Sequence, residues 1–133
     1  MITTTRIYIN NDLDVVTARM QARQLAKQMG FNTADQARIS LAASELARVL
    51  SWHTNAPGEL IMSDASGKNG HSGVQVVCVV HTKYVAAHEE LADADDISIP
   101  RRSFAGACQL VDESIVEEQE GDQSRVTLIK WMS

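Results

Sequence analysis

The chain has 133 residues, of which 44% are hydrophobic and 22% charged, and its formal net charge at pH 7 is −5. This length predicts a single domain, residues 1–133, with a core of its own. The acidic balance argues against nucleic acid as a partner, because phosphate binding needs a basic face. No stretch approaches the ~18 apolar residues that span a membrane, and the first ten residues lack an apolar signal core. We therefore expect a cytoplasmic protein that does not contact a membrane.

Nucleophile and metal chemistry find little support in the sequence. Cys78 and Cys108 lie far apart in apolar surroundings without a C-x-x-C pair, which predicts buried free thiols in a reducing compartment. No G-x-S-x-G motif marks a serine hydrolase. The four histidines show no metal-ligand spacing, so no metal site is predicted, and they stand at positions 53, 71, 81 and 88.

The amino-terminal half is predicted to hold one strand and two helices. They begin at residues 6, 12 and 33. The first helix carries apolar residues at steps of three and four as far as Met29, and Gly30 supplies its end. The second starts at Thr33, where residues 33–36 fit a capping box, and runs to the break at residues 55–58. The two helices are expected to pack in succession.

The carboxy-terminal half is predicted to hold a hairpin, a helix and a second hairpin. The strands span residues 59–63, 74–80, 114–118 and 125–131, the helix spans 101–113, and the turns span 64–73 and 120–122. The strand at 74–80 is apolar on both faces, which predicts a central strand covered on each side. The acidic stretch between His81 and Pro100 has no strong apolar period, so we expect mobility there, with at most a short helix.

The order β-α-α-β-β-(α)-α-β-β indicates the class of fold. Strand pairs joined by short turns, with helices set apart from them, predict an α+β protein. We expect a two-layer α/β sandwich with a mixed, mostly antiparallel sheet and the helices on one face.

Segments near both ends of the chain carry a resemblance to a known family. They are residues 14–19, 26–31, 35–39, 44–48, 110–113 and 129–131. These segments resemble the RsbT-like anti-sigma regulatory serine/threonine kinases, switch-protein kinases of the GHKL superfamily of ATPases. The resemblance covers nearly the whole chain. It implies a single GHKL ATPase-like domain with the Bergerat, or histidine-kinase-like, form of the α/β sandwich.

The second helix of that family carries Glu-x-x-x-Asn, in which the Glu serves the attacking group and the Asn holds magnesium. Here Glu45 matches the catalytic carboxylate, whereas Val49 stands at the place of the Asn. Magnesium takes oxygen ligands in octahedral geometry, and valine offers none. The resemblance therefore implies that this metal ligand is lost. Glu45 also has a simpler interpretation as a carboxylate paired with Arg48 along its own helix.

Two further nucleotide-binding motifs of the family are altered. Its Asp-x-Gly-x-Gly, which reads the adenine, corresponds to residues 79–85, where Val80 and its neighbours include neither Asp nor Gly. Its glycine-rich lid over the phosphates corresponds to residues 98–106, which hold Arg101 and Ser103 and keep Gly106 as their one glycine. Each lost contact costs about 1–3 kcal/mol, so no ATP or magnesium cofactor is expected.

Three functions follow from the resemblance. The first is a pseudokinase that binds a STAS-domain protein, a phosphatase or another regulator in a bacterial stress or sigma-factor partner-switching circuit. The second is an active Mg-ATP-dependent kinase that phosphorylates a STAS-domain antagonist through Glu45. The third is a small-molecule sensor with a pocket between Val49, Val80 and Phe104. We favour the first, since a partner surface needs no glycine lid.

Candidate partner surfaces are less sharply defined by the sequence. Arg101 and Arg102 stand where the phosphate lid would be, and they either grip a phosphorylated or acidic partner or form a solvated helix start. The exposed parts of the first helix and the acidic segment are further candidates. Related kinases often dimerise, which makes a homodimer a further expectation.

Overall fold

The computed structural model describes residues 4–52, 58–85 and 95–132. The strands and helices are β1 (Thr4–Ile9), α1 (Asp12–Met29), α2 (Thr33–Ser51), β2 (Gly58–Ser66), β3 (Ser72–His81), α3 (Asp95–Gln109), β4 (Glu113–Gln119) and β5 (Gln123–Trp131). This order confirms the predicted α+β class. The short helix suggested for the acidic stretch falls mainly on residues 86–94, and the break after α2 falls on residues 53–57; both lie outside the described residues.

The five strands form one sheet in the order β1-β2-β3-β5-β4. Every pairing among these strands is antiparallel, whereas we expected a mixed sheet with mostly antiparallel pairs. The connections explain the difference. Hairpins join β2 to β3 and β4 to β5, and the two successive helices α1 and α2 return the chain to the end of the sheet at which β1 stops. The strand β2 therefore runs back antiparallel to β1.

The three helices form the second layer, with α2 between α1 and α3. Alternate residues of the central strands, such as Leu60 and Val76, are buried against this layer, and so are Leu46 and Leu50 of α2. They belong to one hydrophobic core that links all three helices to the sheet. Burying a side chain of this size contributes about 1.5–3 kcal/mol. The expectation of a two-layer sandwich with helices on one face is confirmed.

Local chemistry sets the ends of α1 and α2. Asn11 caps α1 by accepting a hydrogen bond from the Asp14 backbone N–H at 3.2 Å, and Gly30 ends it with φ at 94°. The predicted cap of α2 at Thr33 is wrong by one residue. The side-chain oxygen of Asn32 accepts from the Asp35 backbone N–H at 2.8 Å, because an amide oxygen in extended backbone reaches this N–H directly.

The predicted helix at residues 101–113 is displaced in the structure. The helix α3 begins at Asp95 and ends at Gln109, so it contains Pro100. A proline inside a helix removes one backbone hydrogen bond, so Pro100 is a locally unfavourable residue within α3. Its ring is fully buried, and this packing offsets the lost bond. Arg101 and Arg102 consequently lie inside α3 and not at its start.

The face of the sheet away from the helices is open in the described part of the chain. Val79 of β3 is 40% exposed and Ile115 of β4 is 42% exposed. The central position predicted for β3 is confirmed, but the expected cover on its second face is not found among the described residues. No helix within the described ranges is long and apolar enough to cross a membrane.

Candidate functional site

The helix α2 carries Glu45, the residue for which the resemblance implies a catalytic role. Glu45 lies on the strip of α2 that is not covered by core packing, and its side chain is 23% exposed. Its Oε1 accepts a hydrogen bond from Arg48 Nη1 at 3.1 Å, one turn further along the same helix. This geometry fits the simpler interpretation of Glu45 as a carboxylate paired along its own helix. Such a pair contributes about 0.3–0.5 kcal/mol.

Val49 and Val80 both face the hydrophobic core. Val49 is completely buried on α2, and Val80 is 1% exposed near the end of β3. Both belong to the cluster of buried apolar side chains, against which Phe104 of α3 also packs. The two positions are therefore filled by packed hydrocarbon, which offers neither a metal ligand nor a hydrogen-bond acceptor.

The chain after β3 closes over this part of the core. A short 3-10 turn, Thr82–Tyr84, follows the strand, and Tyr84 is 7% exposed. His81 caps the turn by accepting a hydrogen bond at Nδ1 from the Lys83 backbone N–H at 3.1 Å. The Lys83 ammonium lies 5.2 Å from the centroid of the Tyr84 ring. This segment is therefore a turn that is capped by His81 and held against the core by the buried side chain of Tyr84.

The residues at the place of the phosphate lid point in different directions. Arg101 is half-buried and its Nε donates to the Lys83 carbonyl at 2.7 Å, so it fastens α3 to the turn after β3. Arg102 is exposed, and Ser103 is 6% exposed. The sequence left open whether the two arginines grip a phosphorylated or acidic partner, and of the two only Arg102 is exposed. Arg102 alone remains available at the surface as a partner contact.

The candidate nucleotide positions line none of three cavities that open on the described surface. The sensor pocket considered between Val49, Val80 and Phe104 thus finds no support among these cavities, because the three side chains are part of the packed core. Within the described residues, no group of three or more His, Cys, Asp or Glu side chains is placed to hold a metal ion.

A surface on α1 emerges that the sequence did not locate. Leu13, Val16 and Met20 are 76%, 39% and 66% exposed, and their spacing of three and four places them on one face, opposite the buried stripe. The exposed cations Arg19 and Arg23 lie beside them. Solvent exposure of three large apolar side chains on one helix face is typical of a protein-binding surface. The sequence did contain a signal for this surface, because these three apolar residues lie outside the apolar stripe that predicts the buried face of α1.

The α+β sandwich is consistent with the resemblance stated from the sequence, and comparison of the whole chain with known proteins tests that resemblance directly. No family model matches it. A curated relative is the serine/threonine-protein kinase RsbT of Bacillus subtilis (strain 168), which is 27% identical over 129 residues, or 95% of each chain. The chain and this relative are therefore similar over nearly their full lengths, and the RsbT-like resemblance stated from the sequence is confirmed.

Proposed function

We propose that this chain is a regulatory module that acts by binding protein partners in a partner-switching circuit, and that it does so without Mg-ATP. The observation that carries the proposal is the burial of Val49. The family presents its magnesium ligand at this position, and here the side chain is fully enclosed by the core. A metal ion at this place would need an oxygen ligand and an open path, and a packed valine provides neither.

The proposed circuit follows from the similarity to a protein named as a serine/threonine kinase. In such a circuit, alternative regulators compete for one surface and thereby control a sigma factor in a bacterial stress response. The proposed partners are a STAS-domain protein and a phosphatase, met in the cytoplasm. A binding role of this kind requires an exposed surface and no chemistry.

The apolar face of α1 is the proposed contact for these partners. Leu13, Val16 and Met20 offer a hydrophobic strip, and Arg19 and Arg23 add positive charge to a chain whose net charge is −5. Apolar anchors with arginines at their edge are typical of the residues that dominate binding energy. The partner segment expected here is apolar at its centre and acidic at its rim.

The second candidate function is an active kinase. Two observations favour it: the relative is named as a kinase, and Glu45 keeps a partly exposed carboxylate on α2. In this case Glu45 would act as the general base toward a serine of a STAS-domain protein, and ATP would be held by contacts other than the family's usual ones.

Isothermal titration with Mg-ATP separates the two candidates. The unmodified protein is titrated alone, and a STAS-domain protein of the same organism is then tested as a binding partner and as a phosphate acceptor. No heat from Mg-ATP, together with saturable binding of the STAS-domain protein, supports the binding module. Heat from Mg-ATP, with phosphate transfer that is lost in Glu45→Gln, overturns it in favour of the kinase.

A further inference from the structure

Trp131, the last residue of β5, lies over two glycines at the end of the sheet. A Cβ atom added to Gly67 would lie 2.8 Å from the ring, and one added to Gly73 would lie 2.8 Å from another ring atom. Real Cβ atoms do not approach so closely, so the ring occupies the space that side chains at both positions would need. Gly73 is the direct partner of Trp131 across the β3–β5 pair. The indole ring therefore packs directly against the backbone at these two glycines.

Two carboxylates fix this tryptophan from the other side. The indole Nε1–H donates to Glu113 Oε2, and the backbone N–H of Trp131 donates to Asp112 Oδ2 at 2.6 Å. Glu113 is an exposed residue, and no described residue donates a hydrogen bond to its second carboxylate oxygen. An oriented aromatic ring and a negatively charged oxygen with spare accepting capacity are therefore held side by side.

A cavity of about 790 Å³ opens at this point. Its lining includes Trp131, Glu113 and Asp112 together with Ile129, Met132 and His71. It lies at the opposite end of β3 and β5 from Val80, which pairs with Ser124, whereas Trp131 pairs with Gly73. The two pairs are seven residue steps apart along the strands, or about 23 Å at 3.3 Å per residue. The cavity is therefore distinct from the region where the family binds its nucleotide.

The charges of the side chains that line the cavity favour a cation over an anion as its ligand. Among the side chains that the structure describes, Lys130 is the one lysine in the lining, and its ammonium already has partners: it lies 3.1 Å from Asp112 and 3.8 Å from Asp35. The carboxylate of Glu113 has no such cationic partner among the described residues. An anion would meet uncompensated negative charge, whereas a cation would meet a carboxylate oxygen and the π face of an indole.

We infer that this cavity is a binding site for an organic cation, an ammonium or guanidinium group held between the indole of Trp131 and the carboxylate of Glu113. The cation stacks against the ring and donates a charge-assisted hydrogen bond to the second carboxylate oxygen of Glu113. The group belongs either to a free polyamine or to a basic side chain of another protein. The same chemistry recognises both.

The fluorescence of Trp131 reports directly on this site. The sequence contains two tryptophans, so Trp52→Phe leaves Trp131 as the single reporter. In this background the protein is titrated with N-acetylarginine amide, and N-acetylcitrulline amide serves as the neutral probe of nearly the same shape. We expect saturable quenching by the arginine derivative and none by the citrulline derivative.

Two variants test the role of the carboxylate. Glu113→Gln keeps an acceptor for the indole N–H but removes the charge, and it is expected to weaken binding of N-acetylarginine amide about tenfold. Glu117→Gln removes a carboxylate from the same strand outside the cavity and is expected to leave binding unchanged. Equal responses to arginine and citrulline, equal affinity in Glu113→Gln, or no saturable response to either the arginine derivative or spermidine would each overturn the inference. Tighter binding of spermidine than of a capped arginine peptide identifies a free polyamine, and the reverse identifies a protein side chain.

Discussion

The carboxylate of Asp112 ties the chain after α3 to Trp131 at the end of β5. Its Oδ2 accepts a hydrogen bond from the Trp131 backbone N–H at 2.6 Å, and both of its oxygens lie within 3.3 Å of the Lys130 ammonium. The Asp112 backbone N–H also donates to the Ile129 carbonyl at 2.9 Å. One residue thus fixes where the chain leaves the helical layer and enters β4.

Removal of this carboxylate is expected to destabilise the protein. Asp112→Ala should lower the free energy of unfolding by about 0.5–1.5 kcal/mol, because the Trp131 backbone N–H loses its acceptor and the Lys130 ammonium loses the nearer of its two carboxylates. Asp112→Asn keeps an oxygen for the N–H and should cost less. Glu120→Ala, in the exposed turn between β4 and β5, is the control and should change stability by less than about 0.5 kcal/mol. Urea denaturation measures all three, and equal midpoints for Asp112→Ala and Glu120→Ala would contradict the prediction.

Two glycine substitutions should have opposite effects. In Gly73→Ala the new Cβ would lie 2.5 Å from the Lys130 carbonyl oxygen, which belongs to backbone and cannot move aside. We expect a loss of about 1–3 kcal/mol. In Gly106→Ala nothing lies within 4 Å of the new Cβ, and the residue is inside α3, so alanine should raise stability by about 0.5–1 kcal/mol. Thermal denaturation of both variants checks the signs, and two shifts in the same direction would contradict this account.

The elements set by local chemistry were predicted well from the sequence. The helix α1 has its cap at Asn11, its stop at Gly30 and its apolar spacing within a single stretch of chain, so periodicity locates both of its ends. The helix α3 was misplaced because its start depends on burial of Pro100 against other elements. Such packing is not visible in a local pattern, which registers the proline as a break.

The candidate site shows the same difference between features set by local sequence and features set by packing. The sequence shows that valines stand at positions 49 and 80. The burial of both side chains depends on how α2 packs on β3, which no local pattern shows. The cavity beside Trp131 joins residues from the β2–β3 hairpin, β4 and β5, which no spacing rule relates. The sequence therefore identifies the residues of interest, but their burial and their neighbours depend on the fold.

The proposed contact surface on α1 makes a direct prediction about partner binding. Met20→Asp puts a charge at the centre of the apolar face and should weaken binding of a STAS-domain partner at least about tenfold. The side chain is 66% exposed, so stability should change little. Gln21→Asp introduces the same charge on another face of α1 and is the matched control. Titration calorimetry with both variants decides, and equal affinities would remove α1 from the interface.

The burial of Val49 can be tested by introducing the asparagine that the resemblance implies for this position. Val49→Asn places an amide among apolar neighbours and should lower the free energy of unfolding by about 2–4 kcal/mol. Val16→Asn is the same change at a position that is 39% exposed on α1, and it should be nearly neutral. If Val49→Asn were as stable as Val16→Asn, position 49 would have access to solvent or ligand, and the proposal of a module without Mg-ATP would lose its main support.

The thiol of Cys78 should make stability depend on alkaline pH. Cys78 lies in the middle of the central strand β3, and desolvation by burial raises its pKa from 9.0 to about 12. The raised pKa means that the folded protein keeps its proton where the unfolded chain has released it. Below pH 9.0 the thiol is neutral in both states, and its contribution to stability is fully present. As the pH rises from 9.0 toward 12, the thiol ionises in the unfolded state but not in the folded state, so the free energy of unfolding decreases.

The variant Cys78→Ala isolates this contribution, because every other ionisable group is common to both proteins. The difference in unfolding free energy between the unmodified protein and Cys78→Ala should be constant below pH 9.0 and should shift steadily against the unmodified protein above it. Urea denaturation of both proteins at a series of pH values measures the difference. A difference that stays constant through this range would mean that the thiol is accessible to water in the folded state, and that β3 is covered less tightly than its neighbours indicate.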